Sequence, residues 1–142
     1  MQGTLNATDV RKHWGQFNDD VIHDGPRFVK RNRDAWAALS SEHLKAAFVT
    51  FTFEAELILE EDGTVTATLK GFDLVENGET KEEAIELLSE ELIDYANEYQ
   101  DNFQTYFRAL NRHDQFPYIM NVLAQDDTEG VKSLIRCLVG ER

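Results

Sequence analysis

The pattern of apolar and polar positions over residues 1–50 predicts a short strand, a helix, a β-hairpin and a second helix. Thr4 and Leu5 begin the strand, and the side chain of Asn6 or Thr8 is positioned to cap the helix that follows. The apolar residues of this helix recur every three or four positions and therefore share one face: Val10, Trp14, Phe17, Val21 and Ile22.

The segment Asp24-Gly25-Pro26 marks the end of this helix, because glycine accepts the left-handed conformation that stops a helix and proline cannot continue it. Residues 27–30 and 35–39 then form the two strands of a hairpin around a turn at 31–34. Ser40 is the candidate cap of the helix that follows.

Residues 49–96 predict a three-stranded antiparallel sheet packed on a long helix. The segment 49–60 is rich in β-branched and aromatic residues, Asp62-Gly63 is a hairpin turn, 64–69 alternates cleanly, and 71–78 is an irregular third stretch. Thr80 caps the helix and Glu83 completes a capping box, after which an apolar stripe continues to Ala96.

The rest of the chain predicts a helical tail in several pieces. An aromatic stripe covers 99–110, and two further short helices are expected at 118–124 and 128–138. The fold class is therefore α+β in two modules, residues 1–48 and 49–142. The first is a β-α-β-β-α unit that should dimerise, since about 45 residues rarely form a stable core alone.

Charge separates the two modules more clearly than any linker does. The 142-residue chain carries a net charge of −13. Residues 1–50 hold seven basic and six acidic side chains, so residues 51–142 hold the other seven basic and 21 acidic ones, a net charge of −14. A nearly neutral first part and a strongly acidic second part suggest two surfaces for two different partners.

Composition also limits the compartment and the chemistry. The single cysteine, Cys137, cannot form an internal disulfide and is expected to be a half-buried apolar residue. No apolar run approaches the ~18 residues of a membrane span, and the N-terminus lacks the features of a signal peptide. We therefore expect a cytoplasmic protein without membrane contact or cofactor.

Residues 3–46 resemble the N-terminal domain of the Phd/YefM (prevent-host-death) antitoxins. The resemblance rests on a polar cap before an acidic residue and an arginine, an extended segment that ends in a basic turn, and an alanine-rich strand that ends in serine; these segments are 5–12, 24–26, 28–32 and 35–40. It implies an antitoxin of a type II toxin–antitoxin system that binds its own operator DNA as a homodimer and represses transcription.

Residues 54–96 resemble the HicB-like antitoxin domain. Two strands around the Asp62-Gly63 turn precede Gly71-Phe72, and a Gly-x-Thr-x-x-Glu-Ala stretch at 78–84 opens the main helix. This resemblance implies a toxin-binding domain, with a ribonuclease as the expected toxin.

The candidate DNA-binding residues are polar or basic side chains at the start of the first helix and in the hairpin. The resemblance places Arg11 and Arg31 at positions that the family uses for operator contact, and charge and neighbourhood add four others. Lysine and arginine bind phosphates, and arginine also reads guanine. The full set is Thr8, Arg11, Lys12, Lys30, Arg31 and Arg33.

The candidate toxin-binding residues combine acidic and aromatic side chains. An acidic surface attracts a basic, RNA-binding toxin, and aromatic side chains serve as apolar anchors. The acidic members are Glu82, Glu83, Glu91 and Asp94, with Glu90 beside them, and the aromatic members are Tyr99, Phe103, Tyr106 and Phe107.

Two alternatives remain at this point. In the first, the protein is an acidic binding module and its front half only dimerises. In the second, it is a metal-dependent nuclease that uses Glu54 and Glu56, two carboxylates on one strand. The four histidines have no zinc-type spacing, and neither a phosphate loop nor a nucleophile motif is present, so we predict no catalytic residue and no metal site.

Overall fold

A computed structural model describes residues 3–139, with side chains through residue 138. The chain divides into two compact units, with the division between Ala47 and Phe48. Each unit has its own sheet and its own buried cluster.

The first unit follows the predicted order of elements, with one helix in two pieces. Its elements are β1 (Thr4–Asn6), α1 (Ala7–Lys12), α2 (Trp14–Asp24), β2 (Arg27–Arg31), β3 (Asp34–Ala38) and α3 (Ser41–Ala47). Strand β2 lies in the middle of the sheet, parallel to β1 and antiparallel to β3. Asn6 is the residue that caps α1, because its Oδ1 accepts a hydrogen bond from the Thr8 amide at 2.7 Å.

The prediction of one continuous first helix is wrong at His13, where the backbone leaves the helical region and α2 begins anew. Val10, Phe17 and Val21 are buried as the periodicity predicts, but Trp14 and Ile22 are 57% and 55% exposed. The unit therefore buries one part of the predicted apolar helix face and leaves the other part exposed.

The second unit contains four strands and four α-helices among its described residues. They are β4 (Phe53–Leu59), β5 (Val65–Leu69), β6 (Leu74–Gly78), α4 (Lys81–Asp101), α5 (Phe103–Arg108), a 3-10 turn (His113–Gln115), α6 (Phe116–Leu123), α7 (Thr128–Lys132) and β7 (Ile135–Val139).

Strand β7 corrects the prediction of a purely helical tail. The sheet has the order β6-β5-β4-β7, and β7 runs parallel to β4 with Ala55 opposite Cys137. The predicted helix at 128–138 ends at Lys132, and the residues that follow join the sheet. The predicted three antiparallel strands are thus present, but the sheet has a fourth strand.

The structure at the start of α4 shows why the Gly-x-Thr-x-x-Glu-Ala stretch has glycine and threonine at its first and third positions. The Thr80 hydroxyl accepts a hydrogen bond from the Glu83 amide at 3.1 Å, so Thr80 caps the helix as predicted. A side chain at Gly78 would place its Cβ only 2.5 Å from the Ala84 amide nitrogen. Gly78 therefore allows β6 to approach the first turn of α4 closely.

The core of the second unit lies between α4 and the inner face of the sheet. Phe53, Ala55 and Leu57 alternate with exposed Glu54 and Glu56 along β4, as a half-buried strand requires. The inner face packs against the buried residues of α4, which are Ala84, Leu88, Leu92, Ala96 and Tyr99. No helix among residues 3–139 has the length and apolar character needed to cross a membrane.

Candidate DNA-binding and partner-binding surfaces

One edge of the first sheet collects four of the six predicted DNA-binding residues. Because β1 and β2 are parallel, with Asn6 opposite Lys30, their C-terminal ends lie at the same edge. Helix α1 begins there with Thr8 in its first turn, and the hairpin turn lies beyond Arg31 and contains Arg33. Asn32, at φ 53°, supplies the left-handed residue of this turn.

The other two predicted residues, Arg11 and Lys12, lie at the end of α1, one turn or about 5 Å along the helix from Thr8. All five basic side chains of the set are exposed, and none of them forms an ion pair within residues 3–139. Arg27 differs, because its guanidinium donates to the carbonyl oxygen of Gly25 and lies 3.9 Å from the Asp24 carboxylate. The unit thus uses Arg27 in its own structure, whereas the five basic side chains of the predicted set remain available for a partner.

A shallow cleft lies beside this basic edge. Its volume is about 300 Å³, and it is lined by Thr4, Leu5, Asn6, Lys30 and Asn32. The lining is polar apart from Leu5, and Lys30 supplies its charge.

The first unit also exposes much of its apolar surface. Among its described residues, the buried apolar cluster contains only Val10, Phe17, Val21 and Val29. Trp14 stacks on Phe17 with a centroid distance of 5.7 Å, and Trp36 meets the edge of the same ring at 6.3 Å. Both tryptophans remain largely exposed, and so do four other large apolar side chains: Leu5, Ile22, Phe28 and Leu39.

The exposed face of α4 carries the predicted acidic residues. Glu82, Glu83, Glu90 and Asp94 are all exposed. Glu98 and Asp101 continue this face in the last turns of the helix, although the sequence analysis did not select them. Glu98 follows Asp94 by four residues and Asp101 follows Glu98 by three, and this helical spacing was the signal that could have identified them.

Glu91 does not belong to this exposed face. Its Oε2 is shielded from solvent and has no hydrogen-bond partner among the described residues. Burial, together with the neighbouring carboxyl group of Glu76 on β6, raises the pKa of Glu91 to about 7. Glu91 is therefore part of a carboxyl pair between α4 and the sheet.

Tyr99 is also wrongly placed by the sequence analysis as a surface anchor. Its side chain is 1% exposed, and its hydroxyl donates a 2.8 Å hydrogen bond to the carbonyl oxygen of Arg112. Phe103, Tyr106 and Phe107 are half-buried and surround the same region. The guanidinium of Arg112 lies 4.3 Å from the centroid of the Tyr106 ring, a cation–π contact.

One match with known proteins spans both units. Residues 1–137 match the model of the PHD-like family, described as antitoxins of RelE/RelB toxin–antitoxin systems. The chain belongs to this antitoxin family. A crystal structure from Syntrophomonas wolfei subsp. wolfei, described as the antitoxin part of a proposed toxin/antitoxin system, matches 99% of this chain and 100% of its own. The two are 38% identical, with a TM-score of 0.91. No match was found among curated proteins.

Membership of this family makes a toxin the expected partner of the antitoxin. The nuclease alternative receives no comparable support. Glu54 and Glu56 lie on the outer sheet face, where Glu54 is 3.7 Å from the Lys70 ammonium group and opposite Arg136. Within residues 3–139, no group of three or more histidine, cysteine or acidic side chains is arranged to hold a metal ion.

Proposed function

We propose that this antitoxin binds operator DNA as a homodimer through its first unit and neutralises a ribonuclease toxin through its second unit. The first unit acts as the Phd/YefM-like repressor and the second as the HicB-like toxin-binding domain. Both activities are binding activities, and the cytoplasm is where both partners would be met.

The observation that carries the DNA half is the basic edge of the first unit. Lys30, Arg31 and Arg33 lie at this edge, and Arg11 and Lys12 lie one turn further along α1. All five are exposed and form no ion pair within residues 3–139. Phosphate contacts require such cations, and guanine readout favours arginine. A two-fold dimer would present the edge twice, which suits a palindromic operator.

The exposed apolar surface supports the dimer. Four buried apolar residues are too few to stabilise a unit of this size, whereas six large apolar side chains on its surface could be buried by a second copy. Trp14 and Trp36 are the best candidates for the centre of this contact, since tryptophan is enriched among residues that dominate interfaces.

The acidic second unit supports the toxin half. A ribonuclease needs a basic surface to hold RNA, and a net charge of −14 on the partner speeds the encounter and competes with the nucleic acid. The exposed acidic face of α4, with Glu82, Glu83, Glu90 and Asp94, would meet that surface. Phe103, Tyr106 and Phe107 would supply apolar contacts next to it.

The DNA half is tested by titrating a labelled duplex from the region upstream of the antitoxin gene at two salt concentrations. The variant Arg11→Ala/Arg31→Ala should weaken binding by about 100-fold or more and lower the slope of log affinity against log salt by about 3 to 4, because a dimer loses four cations. Arg108→Ala, which removes an exposed cation of the second unit, should change neither. Equal binding by all three proteins would mean that Arg11 and Arg31 do not contact the DNA. Absence of saturable binding by the wild type would favour the module without DNA function.

The toxin half is tested with the purified product of the neighbouring gene. Glu90→Gln/Asp94→Asn should slow association about tenfold at low salt, because charges at the rim of an interface act mainly on the association rate. Glu61→Gln/Glu79→Gln, which removes two exposed charges elsewhere in the unit, is the matched control. If the wild-type protein does not bind this product, the toxin half of the proposal is wrong.

A further inference from the structure

An open cleft in the second unit lies outside the acidic face of α4. Its volume is about 430 Å³, and it lies where β4 begins and β5 ends, beside the loop that precedes α6. Three aromatic rings line it: Phe53, Phe72 and Tyr118. Their centroids are 5.0 to 5.8 Å apart, so they form one continuous cluster.

The charged groups of the cleft favour a cation. Two carboxylates, Glu54 and Asp114, lie on its lining together with one ammonium group, that of Lys70. Glu54 and Lys70 are 3.7 Å apart, which is a loose ion pair between half-exposed side chains. Asp114 is exposed and has neither a hydrogen bond nor an ion pair within residues 3–139.

The wall opposite the strands is held in place. Gln115 donates a 3.2 Å hydrogen bond to the carbonyl oxygen of Gly71, and its Oε1 accepts one from the Tyr95 hydroxyl. The preceding loop is fixed by the hydrogen bond from Tyr99 to Arg112 and by the 2.8 Å bond from the His113 amide to the Ala109 carbonyl. A cleft with a fixed shape costs less ordering when it is filled.

Leu110 suggests that the occupant belongs to a protein. This residue immediately precedes the cleft residue Asn111, and its side chain is 99% exposed on the fixed loop. A small cation bound in the cleft would leave this leucine side chain, which the rigid loop holds in water, uncovered. A macromolecular partner could cover it.

We propose that this cleft receives an arginine side chain of the toxin, with Leu110 packing against the toxin surface next to it. The guanidinium would lie against the half-buried rings of Phe72 and Tyr118 and donate hydrogen bonds to Asp114 and Glu54. Arginine fits better than lysine because its planar group stacks on a ring while it bonds to two carboxylates. The inference rests on the proposed toxin-binding function and gives it a specific docking point.

The first test uses N-acetyl-arginine amide and the antitoxin alone, followed by NMR. Saturable shifts are expected at Gln115 and Tyr118, with a dissociation constant on the order of 1–10 mM, as is typical of a fragment of this size. The neutral citrulline analogue should give none, and neither should Glu54→Gln/Asp114→Asn titrated with the arginine probe. Absent shifts, or shifts that persist in this variant, would overturn the cleft as an arginine site.

The second test uses the purified product of the neighbouring gene. Glu54→Gln/Asp114→Asn should weaken its binding about tenfold, and Leu110→Ala should weaken it as well, while Glu61→Gln/Glu79→Gln binds as the wild type does. If the arginine probe binds but the toxin affinity is unchanged in both cleft variants, the toxin is not the occupant and the docking proposal fails. If the wild type does not bind the toxin at all, it is the proposed function that fails.

Discussion

The two units of this antitoxin differ most in how much of their apolar surface they bury. Among the described residues, the second unit buries fifteen apolar side chains in one cluster and exposes five large ones, whereas the first unit buries four and exposes six large ones. The second unit has a core large enough for an independently stable domain, whereas the first leaves exposed apolar surface that such a domain would bury. Burial and charge therefore divide the molecule at the same place in the chain.

The largest effect is expected in the core of the second unit. Leu92→Ala should lower the free energy of unfolding by about 3 kcal/mol. The change truncates a fully buried side chain and leaves a cavity that the surrounding residues do not refill. Far-UV circular dichroism in urea measures this loss. Val75→Ala, on the exposed side of β6, should change the same quantity by less than about 0.5 kcal/mol. Similar losses for both variants would contradict the assignment of the core.

The second effect concerns the dimer contact of the first unit. Trp14→Ala should raise the dissociation constant of the dimer about 30-fold, or about 2 kcal/mol, because an exposed aromatic anchor is lost while the buried cluster remains. Sedimentation equilibrium measures the constant, with Val75→Ala as the control. Both tryptophans, Trp14 and Trp36, lie in the first unit, so tryptophan fluorescence reports on that unit alone. Its unfolding midpoint should depend on protein concentration, and a constant midpoint would argue against a dimer.

The third effect is a dependence of stability on pH through Glu91. Burial and the Glu76 carboxyl raise its pKa from 4.5 to about 7, so the folded state binds a proton that the unfolded state releases between these values. This contribution to stability is fully present below about pH 4.5 and is lost as the pH rises through about 7, with a size on the order of 1 kcal/mol. Glu91→Gln should flatten the decline between pH 5 and pH 8.

The control for this pH effect is Glu90→Gln, because Glu90 is exposed on the same helix. Urea unfolding at both pH values should show the wild-type decline in this variant. An equal decline in Glu91→Gln would mean that the carboxyl pair does not cause it.

The smallest effect is expected at the cap of α4. Thr80→Ala should lower the free energy of unfolding by about 1 kcal/mol, because the Glu83 amide loses its hydrogen-bond acceptor. Thr80→Ser should restore most of this loss. The tryptophan signal of the first unit should be unaffected by either change, and a matching change there would show that the two units unfold together.

Local signals in the sequence predicted much of this structure. Asn6, Ser40 and Thr80 cap helices as their side-chain chemistry suggests, and the apolar alternation located β4 and β5. Strand β7 was missed, because Leu134, Ile135 and Leu138 have the spacing of a helix face. Its strand form depends on pairing with β4, about 80 residues earlier, which a local pattern does not contain.

The candidate surfaces were predicted less completely for a related reason. Charge identified the exposed acids of α4, but the same pattern could not show that Glu91 points toward Glu76 on another element. The aromatic stripe did not distinguish buried Tyr99 from Leu110, which the fixed loop leaves 99% exposed. The cleft could not be predicted at all, since its lining comes from three separate segments of the chain, 52–54, 70–72 and 111–118.

The most direct test of whether DNA and toxin bind to separate surfaces is one set of binding measurements with both partners. Operator DNA and the neighbouring gene product are each titrated with the wild type, Arg11→Ala/Arg31→Ala and Glu90→Gln/Asp94→Asn. We expect the first variant to lose DNA binding and keep toxin binding, and the second to bind DNA normally and associate slowly with the toxin. If either variant impairs both activities equally while remaining folded, the two surfaces do not act separately and the account is wrong.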